Sequence, residues 1–189
     1  MNIIVKPYGE GLSYCRPDTS WERENRDLYT PERIERWDWA PIVFVRICKA
    51  GKCVGRKFAS RYYDAFGFGA LLYVGSVGEA DINIAAASCA DHSSVLPFPL
   101  YNIAVLEGQD NMFKVFKDGR EIYSKDCKEV QEAIEEAICC SSEFVSLRTG
   151  DIVAVELAPT KTLTERPDTE IQFKATFCEK ETFGFKILF

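Results

Sequence analysis

The sequence predicts a mostly β, α+β fold with one main helix, and three stretches carry that prediction. In residues 112–124 (MFKVFKDGREIYS), Asp118-Gly119 is a two-residue turn pair between strand-forming runs, which is a β-hairpin. Near the end of the chain Ile171, Phe173, Ala175 and Phe177 alternate with polar neighbours, and Phe183, Phe185, Ile187 and Phe189 repeat the alternation. A period of two marks half-buried strands, so the chain closes in a second hairpin with an aromatic face toward the core. Between the hairpins Val130, Ala133, Ile134, Ala137 and Ile138 recur at helical spacing, with Glu129, Glu132, Glu135 and Glu136 largely off the apolar stripe. Asp126 is the expected cap of this helix.

The other elements follow in order. Residues 2–5 read as a short strand ended by Pro7. Thr30-Pro31-Glu32 combines an N-cap residue with proline at the first helical position, which predicts a single helical turn over residues 31–36. Trp37 and Trp39 then read as edge residues. Ile42-Val43-Phe44-Val45, resumed at Ile47-Cys48, is an unalternating apolar run and reads as a strand buried on both faces, although periodicity alone leaves a buried helix open. Lys49-Ala50-Gly51-Lys52 is a turn. Residues 57–64 can form a short helix, with Phe58 and Tyr62 at i,i+4. Gly67 and Gly69 break it before a second apolar run, Ala70-Leu71-Leu72-Tyr73-Val74. Residues 76–80 read as a polar loop, 82–87 and 101–106 as strands, and 160–169 as a polar connection.

Composition narrows the function classes. The 189 residues suit one domain over residues 1–189, long enough to bury a sizeable core. A net charge of −6 works against a phosphate-backbone partner, so no nucleic-acid binding is expected. No apolar run approaches the ~20 residues that span a bilayer, and the first eleven residues lack the pattern of a secretion signal. A cytoplasmic protein without a membrane partner is the expectation. The eight cysteines include no C-x-x-C pair and no zinc spacing, and are read as reduced thiols, several of them buried as small hydrophobes.

Several segments resemble the fumarylacetoacetate hydrolase superfamily, closest to its short bacterial acylpyruvate hydrolases and isomerases. Val45-Arg46-Ile47-Cys48-Lys49, then Lys57-Phe58-Ala59 and Tyr62-Tyr63-Asp64, carry part of the likeness. The most specific part is the hairpin, the helix and Leu147-Arg148-Thr149-Gly150-Asp151-Ile152-Val153. Tyr14-Cys15-Arg16-Pro17-Asp18-Thr19 is similar to the family's Lys-Pro-Asp-(Ser/Thr) segment, with Arg16 in place of lysine. Asp91 and Ser93 match its Lys-x-Phe-Asp-Gly-Ser segment, where Ser88 replaces the lysine. The resemblance implies a rolled mixed β-sheet, like that of the fumarylacetoacetate hydrolase C-terminal domain, and a homodimer.

It also implies a chemistry that this chain has lost. The family's Glu-x-Glu pair and aspartate form a magnesium cage, since Mg²⁺ takes oxygen ligands in an octahedron and polarises a dicarbonyl or 2-oxo acid. Here the pair falls on Ala40 and Ile42, and the aspartate on Leu71. The Thr-Gly-Thr-Pro element is reduced to Val155-Glu156-Leu157-Ala158-Pro159, and the lid histidine has no counterpart. Asp91-His92-Ser93 is no catalytic triad by itself, because adjacent side chains diverge.

Three readings result. The first is a non-catalytic relative, a binding or scaffold protein without a cofactor, with an active paralogue as a further partner; Arg16, Asp91 and Ser93 would line a residual pocket for a small anion. The second is a magnesium-dependent hydrolase, decarboxylase or isomerase of small 2-oxo or 1,3-dicarbonyl acids. It requires the alignment to slip, or Asp38, Glu79, Asp81 and Asp91 to converge. The third is an unrelated fold with a coincidental pattern.

Overall fold

A computed structural model describes residues 1–9, 11–75, 83–108 and 111–189. β1 (Ile3–Lys6) pairs antiparallel with β2 (Tyr14–Arg16), so Arg16 belongs to a strand and is 2% exposed. Two short strands follow, β3 (Trp21–Glu22) and β4 (Leu28–Tyr29). β5 (Arg36–Arg46) starts earlier than the apolar run suggests. Trp37 and Trp39, expected at an edge, lie inside it at 0% and 4% exposure. Their alternation with Asp38 is a strand period, and extending the strand buries two indoles. The proline at position 31 does not start a helix: Ile34 N donates to Pro31 O at 2.9 Å in a lone reverse turn.

Pro41 sits within β5 without breaking it. β11 (Ile152–Glu156) pairs with residues 42–46 of β5, and β12 (Lys161–Glu165) with its residues 36–39, so Pro41 faces the gap between them. Its carbonyl accepts from Leu157 N at 2.8 Å, and the N–H that proline lacks has no ladder partner to miss on that side.

A 3₁₀ segment over Arg56–Arg61 replaces the short helix, and Phe58 points outward, 40% exposed. β6 (Ala65–Gly75) contains both Gly67 and Gly69. These glycines allow close approach and do not end an element. A Cβ on Gly69 would stand 2.1 Å from Val95 O, and one on Gly67 would stand 2.6 Å from Phe44 Cζ. The loop expected at 76–80 lies outside the described residues.

The strand expected over 82–87 is a helical turn where described, α1 (Ile84–Ala87). Asn83 caps it by accepting from Ala85 N at 2.9 Å. β7 (Ser94–Val95) and β8 (Tyr101–Asn102) are short. The strand predicted through residue 106 turns into a 3₁₀ segment, Ile103–Glu107, because Asn102 accepts from Ala104 N in the same capping geometry.

β9 (Met112–Lys117) and β10 (Arg120–Asp126) form the expected hairpin, with φ of +50° at Asp118 and +77° at Gly119 as a type I′ turn requires. α2 (Val130–Phe144) buries Val130, Ile134, Ala137 and Ile138 as its stripe predicts. Its first residue follows Glu129, and Asp126 instead accepts from Lys128 N in the preceding turn, 3.1 Å. The polar stretch 160–169 contains β12, an element that sequence polarity hid. β13 (Glu170–Phe177) and β14 (Lys180–Leu188) are the closing hairpin.

Among the described residues the larger sheet runs β2-β1-β11-β5-β6-β7-β3, with β12 also on β5 and β8 also on β6; the second runs β10-β9-β13-β14-β4. Parallel pairs, β1 with β11 and β3 with β7, make the larger sheet mixed. A large aromatic core joins both sheets and α2: Phe68 stacks on Phe113 at 4.6 Å, and Phe173 meets Trp39 edge-on at 5.4 Å. A smaller core covers the opposite face of the larger sheet. That second face carries the candidate site.

Candidate functional site

Strand alternation and register decide which side chains share the second face. Ala40 pairs with Leu71, Asp38 with Tyr73, and Ile42 with Glu156. One strand further, Ile3 and Val5 oppose Ile152 and Ala154, and Arg16 and Tyr14 oppose Ile3 and Val5. Ala40, Ile42 and Leu71 therefore do come together, each at 0% exposure, inside the smaller core with Ile3, Val5 and Phe44.

These three positions do not fit a magnesium ion. A hard cation needs oxygen donors to replace its tightly held waters, and the three side chains offer only methyl and methylene groups. Of the neighbouring carboxylates, Glu156 binds Tyr73 and Tyr8, and Asp38 pairs through Oδ2 with Arg36 at 3.1 Å while its buried Oδ1 has no partner among the described residues; two carboxylates fall short of the oxygen shell a magnesium ion needs. Among the described residues no group of three His, Cys, Asp or Glu side chains is placed to hold a metal ion. Of the alternative carboxylates, Asp91 is exposed and Glu79 and Asp81 lie outside the described residues.

Beside the aliphatic patch stands a buried polar cluster. Arg16 donates through Nε to Ser88 O (3.1 Å) and through Nη2 to Leu72 O (2.6 Å) and Ser93 Oγ (2.8 Å). Its Nη1 has no partner among the described residues. The Tyr73 hydroxyl donates to Glu156 Oε1 and receives the Tyr14 hydroxyl proton at 2.6 Å, while Tyr8 N donates to Glu156 Oε2 at 2.9 Å. Opposite charges on Arg16 and Glu156 are thus buried together and linked through tyrosine, which offsets part of their desolvation.

Burial pushes the Tyr14 hydroxyl up to about 12, against a smaller lowering from its bond to Tyr73, and burial first of all raises Tyr73 further still. Burial also lowers Arg16. Both phenols keep their protons throughout the neutral range, so each is available there as a hydrogen-bond donor that ties the strands together.

Of the three residues expected to line a pocket, Arg16 and Ser93 meet and Asp91 does not join them. Asp91 lies on the surface, lining a different cavity with Leu28, Ile34 and Trp37. His92 turns away as well, its Nδ1 2.9 Å from Glu22 Oε2. Glu22, 3% exposed, also receives Glu24 N at 2.6 Å, so it anchors the loop after β3. Ser93 thus faces Arg16, while Asp91 and His92 border the other cavity together.

Tyr14, Tyr73 and Glu156 were not singled out by motif. A usable signal exists in the strands themselves: a lone polar side chain inside IVAVE and inside GALLYVG, at an inward position, needs a buried partner. The cysteines, several of them expected inside as small hydrophobes, are mostly not there: among the described residues Cys127 is the one buried, and Cys15, Cys48, Cys53 and Cys89 are exposed.

No family model matches this sequence, and no curated protein matches it. Solved structures do. The fold is shared with a Yersinia pestis CO92 protein described as belonging to the fumarylacetoacetate hydrolase family: TM-score 0.79, 15% identity, over 99% of this chain and 92% of that one. A Pseudomonas aeruginosa fumarylpyruvate hydrolase, solved with Mn²⁺ and pyruvate, superposes at TM-score 0.80 with 12% identity, over 100% of this chain and 89% of its own. A Mycobacterium smegmatis 5-carboxymethyl-2-hydroxymuconate delta-isomerase does so at 0.77, also with 12% identity, over 99% and 78%.

Proposed function

We propose, from a fold shared with fumarylacetoacetate hydrolase proteins, that this chain is a non-catalytic relative acting as a binding or scaffold protein. The observation that supports it is the packing of Ala40 against Leu71 and Ile42, all at 0% exposure, where the resemblance puts the three metal-binding carboxylates. A cavity for an ion would have to be opened in a closed aliphatic layer, and the oxygens beside it, those of Glu156 and Asp38, are too few for the shell a magnesium ion needs. The hydroxyl-rich Thr-Gly-Thr element is also gone, and Glu156, which stands in that segment, is committed to Tyr73 and Tyr8.

Calorimetric titration with Mg²⁺ and Mn²⁺, alongside turnover assays on oxaloacetate and acylpyruvates, tests this reading. No saturable metal binding and no turnover are expected. Micromolar binding abolished by Asp91→Ala or Glu156→Gln, with turnover, would replace it by the metal-dependent hydrolase, decarboxylase or isomerase. The same proposal includes a homodimer, alone or alongside an active relative. Light scattering at the monomer mass of 21.4 kDa would overturn the homodimer.

A further inference from the structure

At the far end of the larger sheet a cavity of about 750 Å³ opens where β5 ends at Arg46 and the chain enters β11. Arg46 is four residues beyond Ile42, roughly 13 Å along the strand, so the cavity meets the smaller core at Ile152 and Trp21 and not at Ala40, Ile42 or Leu71. Three guanidinium groups line it, Arg23, Arg46 and Arg148, together with the rings of Trp21 and Phe98.

The charges do not cancel locally. Arg46 and Arg148 make no ion pair among the described residues. Arg23 is 3.8 Å from Glu24, a carboxylate that Arg26 also binds. The other lining carboxylate, Asp151, is 2% exposed and already accepts from Asn2 N (2.8 Å), Asn2 Nδ2 (3.4 Å) and Arg148 N (2.9 Å). Its oxygens are turned to those donors. In a chain of net charge −6, two unpaired guanidiniums facing one cavity call for an anion.

The aromatic wall restricts which anion. Trp21 and Phe98 lie 5.7 Å apart at 52°, and Trp21 Nε1 is fixed by donation to Leu96 O at 3.0 Å. Arg23 covers the Trp21 ring at 5.2 Å. Trp21 and Phe98 together form an aromatic wall with Arg23 stacked on part of it, while guanidinium forks match a planar carboxylate bidentately. The volume suits a small molecule. We infer that this cavity binds a small carboxylate carried on a flat, conjugated body. Inorganic phosphate would satisfy the arginines and leave the wall unused; a neutral aromatic would do the reverse.

Trp21 reports the event. It is half-buried, whereas Trp37 and Trp39 are enclosed in the large core, so quenching by a ligand reads Trp21. The protein, with chelator present to exclude metal effects, is titrated with benzoate, cyclohexanecarboxylate, benzyl alcohol and inorganic phosphate, by fluorescence and calorimetry. Benzoate is expected to bind and quench more tightly than the other three. Arg46→Gln and Arg148→Gln are each expected to weaken it by about tenfold or more, since each removes a charge-assisted pair. Both side chains are exposed, and unchanged thermal unfolding confirms that the variants fold. No benzoate binding at millimolar concentration, undiminished binding in the double variant, or equal binding of benzyl alcohol or phosphate would overturn the assignment. The chelator separates this outcome from that of the metal titration.

Discussion

The Arg16 guanidinium carbon stands 4.9 Å from the centre of the Tyr73 ring, over the same side chain whose hydroxyl binds Glu156. One aromatic ring therefore stands between a buried cation and a buried anion. Its π face is the negative end of its quadrupole and attracts Arg16, while its hydroxyl proton serves Glu156.

Tyr73→Phe keeps the ring and removes the hydroxyl. Glu156 Oε1 and the Tyr14 hydroxyl then each lose a partner in a buried setting, and the expected loss is about 1.5–3 kcal/mol, the range for a hydrogen bond to a charged group. Tyr73→Leu should cost a further ~0.5–2 kcal/mol by removing the cation–π contact. Denaturant unfolding of the two variants separates the contributions. Equal stability of Tyr73→Phe and the parent would show that the hydroxyl contributes nothing.

Alkaline pH should unfold the protein through the same cluster. Tyr14 rises from 10.0 to about 12 on folding, with burial the main cause. Below pH 10 both folded and unfolded chains hold the proton, and the stabilisation is complete. Between pH 10 and about 12 only the unfolded chain releases it, so stability falls, by roughly 2–3 kcal/mol for this group. Cys127, fully buried and raised from 9.0 to about 12 chiefly by desolvation, starts the decline from pH 9. Unfolding free energies measured from pH 8 upward should slope downward, and Tyr14→Phe should make the part above pH 10 shallower without levelling it, because burial also raises Tyr63, Tyr73, Tyr101 and Tyr123.

Arg16→Lys tests whether charge alone is wanted at this position. The guanidinium reaches Ser88 O, Leu72 O and Ser93 Oγ from two nitrogens in a fixed plane. An ammonium is a single point and cannot span all three, which leaves at least one buried acceptor unpaired. A loss of about 1–3 kcal/mol is expected in chemical denaturation.

Gly69→Ala should destabilise by ~1–3 kcal/mol or more, since its Cβ would lie 2.1 Å from the Val95 carbonyl and force β6 and β7 apart. Gly119→Ala, with φ +77° and open space around it, should cost only about 1 kcal/mol. Thermal melts of the two variants distinguish contact from conformation.

The elements legible in the sequence were those whose signal is local. The Asp118-Gly119 turn, the α2 stripe and the closing aromatic alternation each follow from a period or a backbone requirement within a few residues. Missed elements depended on distant partners. β12 is polar because only Leu163 and Thr164 are buried, and it is a strand because β5 pairs with it. Gly69 looked like a breaker because Val95, which needs its missing side chain, is twenty-six residues away. At the site, Arg16 and Ser93, matched to the family's segments by the resemblance, are in contact, and Asp91 is not with them. Tyr14, Tyr73 and Glu156 come from three separate strands, and only register unites them.

Ile42→Glu addresses the aliphatic patch directly. Reinstating one acidic side chain at a position of 0% exposure places a carboxylate opposite Glu156, its register partner, with no donor to meet it. Desolvation and like-charge repulsion act together, so a loss of several kcal/mol or failure to fold is expected, whereas Ile42→Val should cost about 0.5–1.5 kcal/mol. A family site waiting only for its ligand would respond differently: millimolar Mg²⁺ or Mn²⁺ would restore the melting temperature of Ile42→Glu, because binding to the folded state stabilises it by mass action. Absence of any metal-dependent rise is the expected result. A rise that saturates with added Mn²⁺ would show that oxygen donors remain grouped around position 42 and that the aliphatic layer opens at little cost.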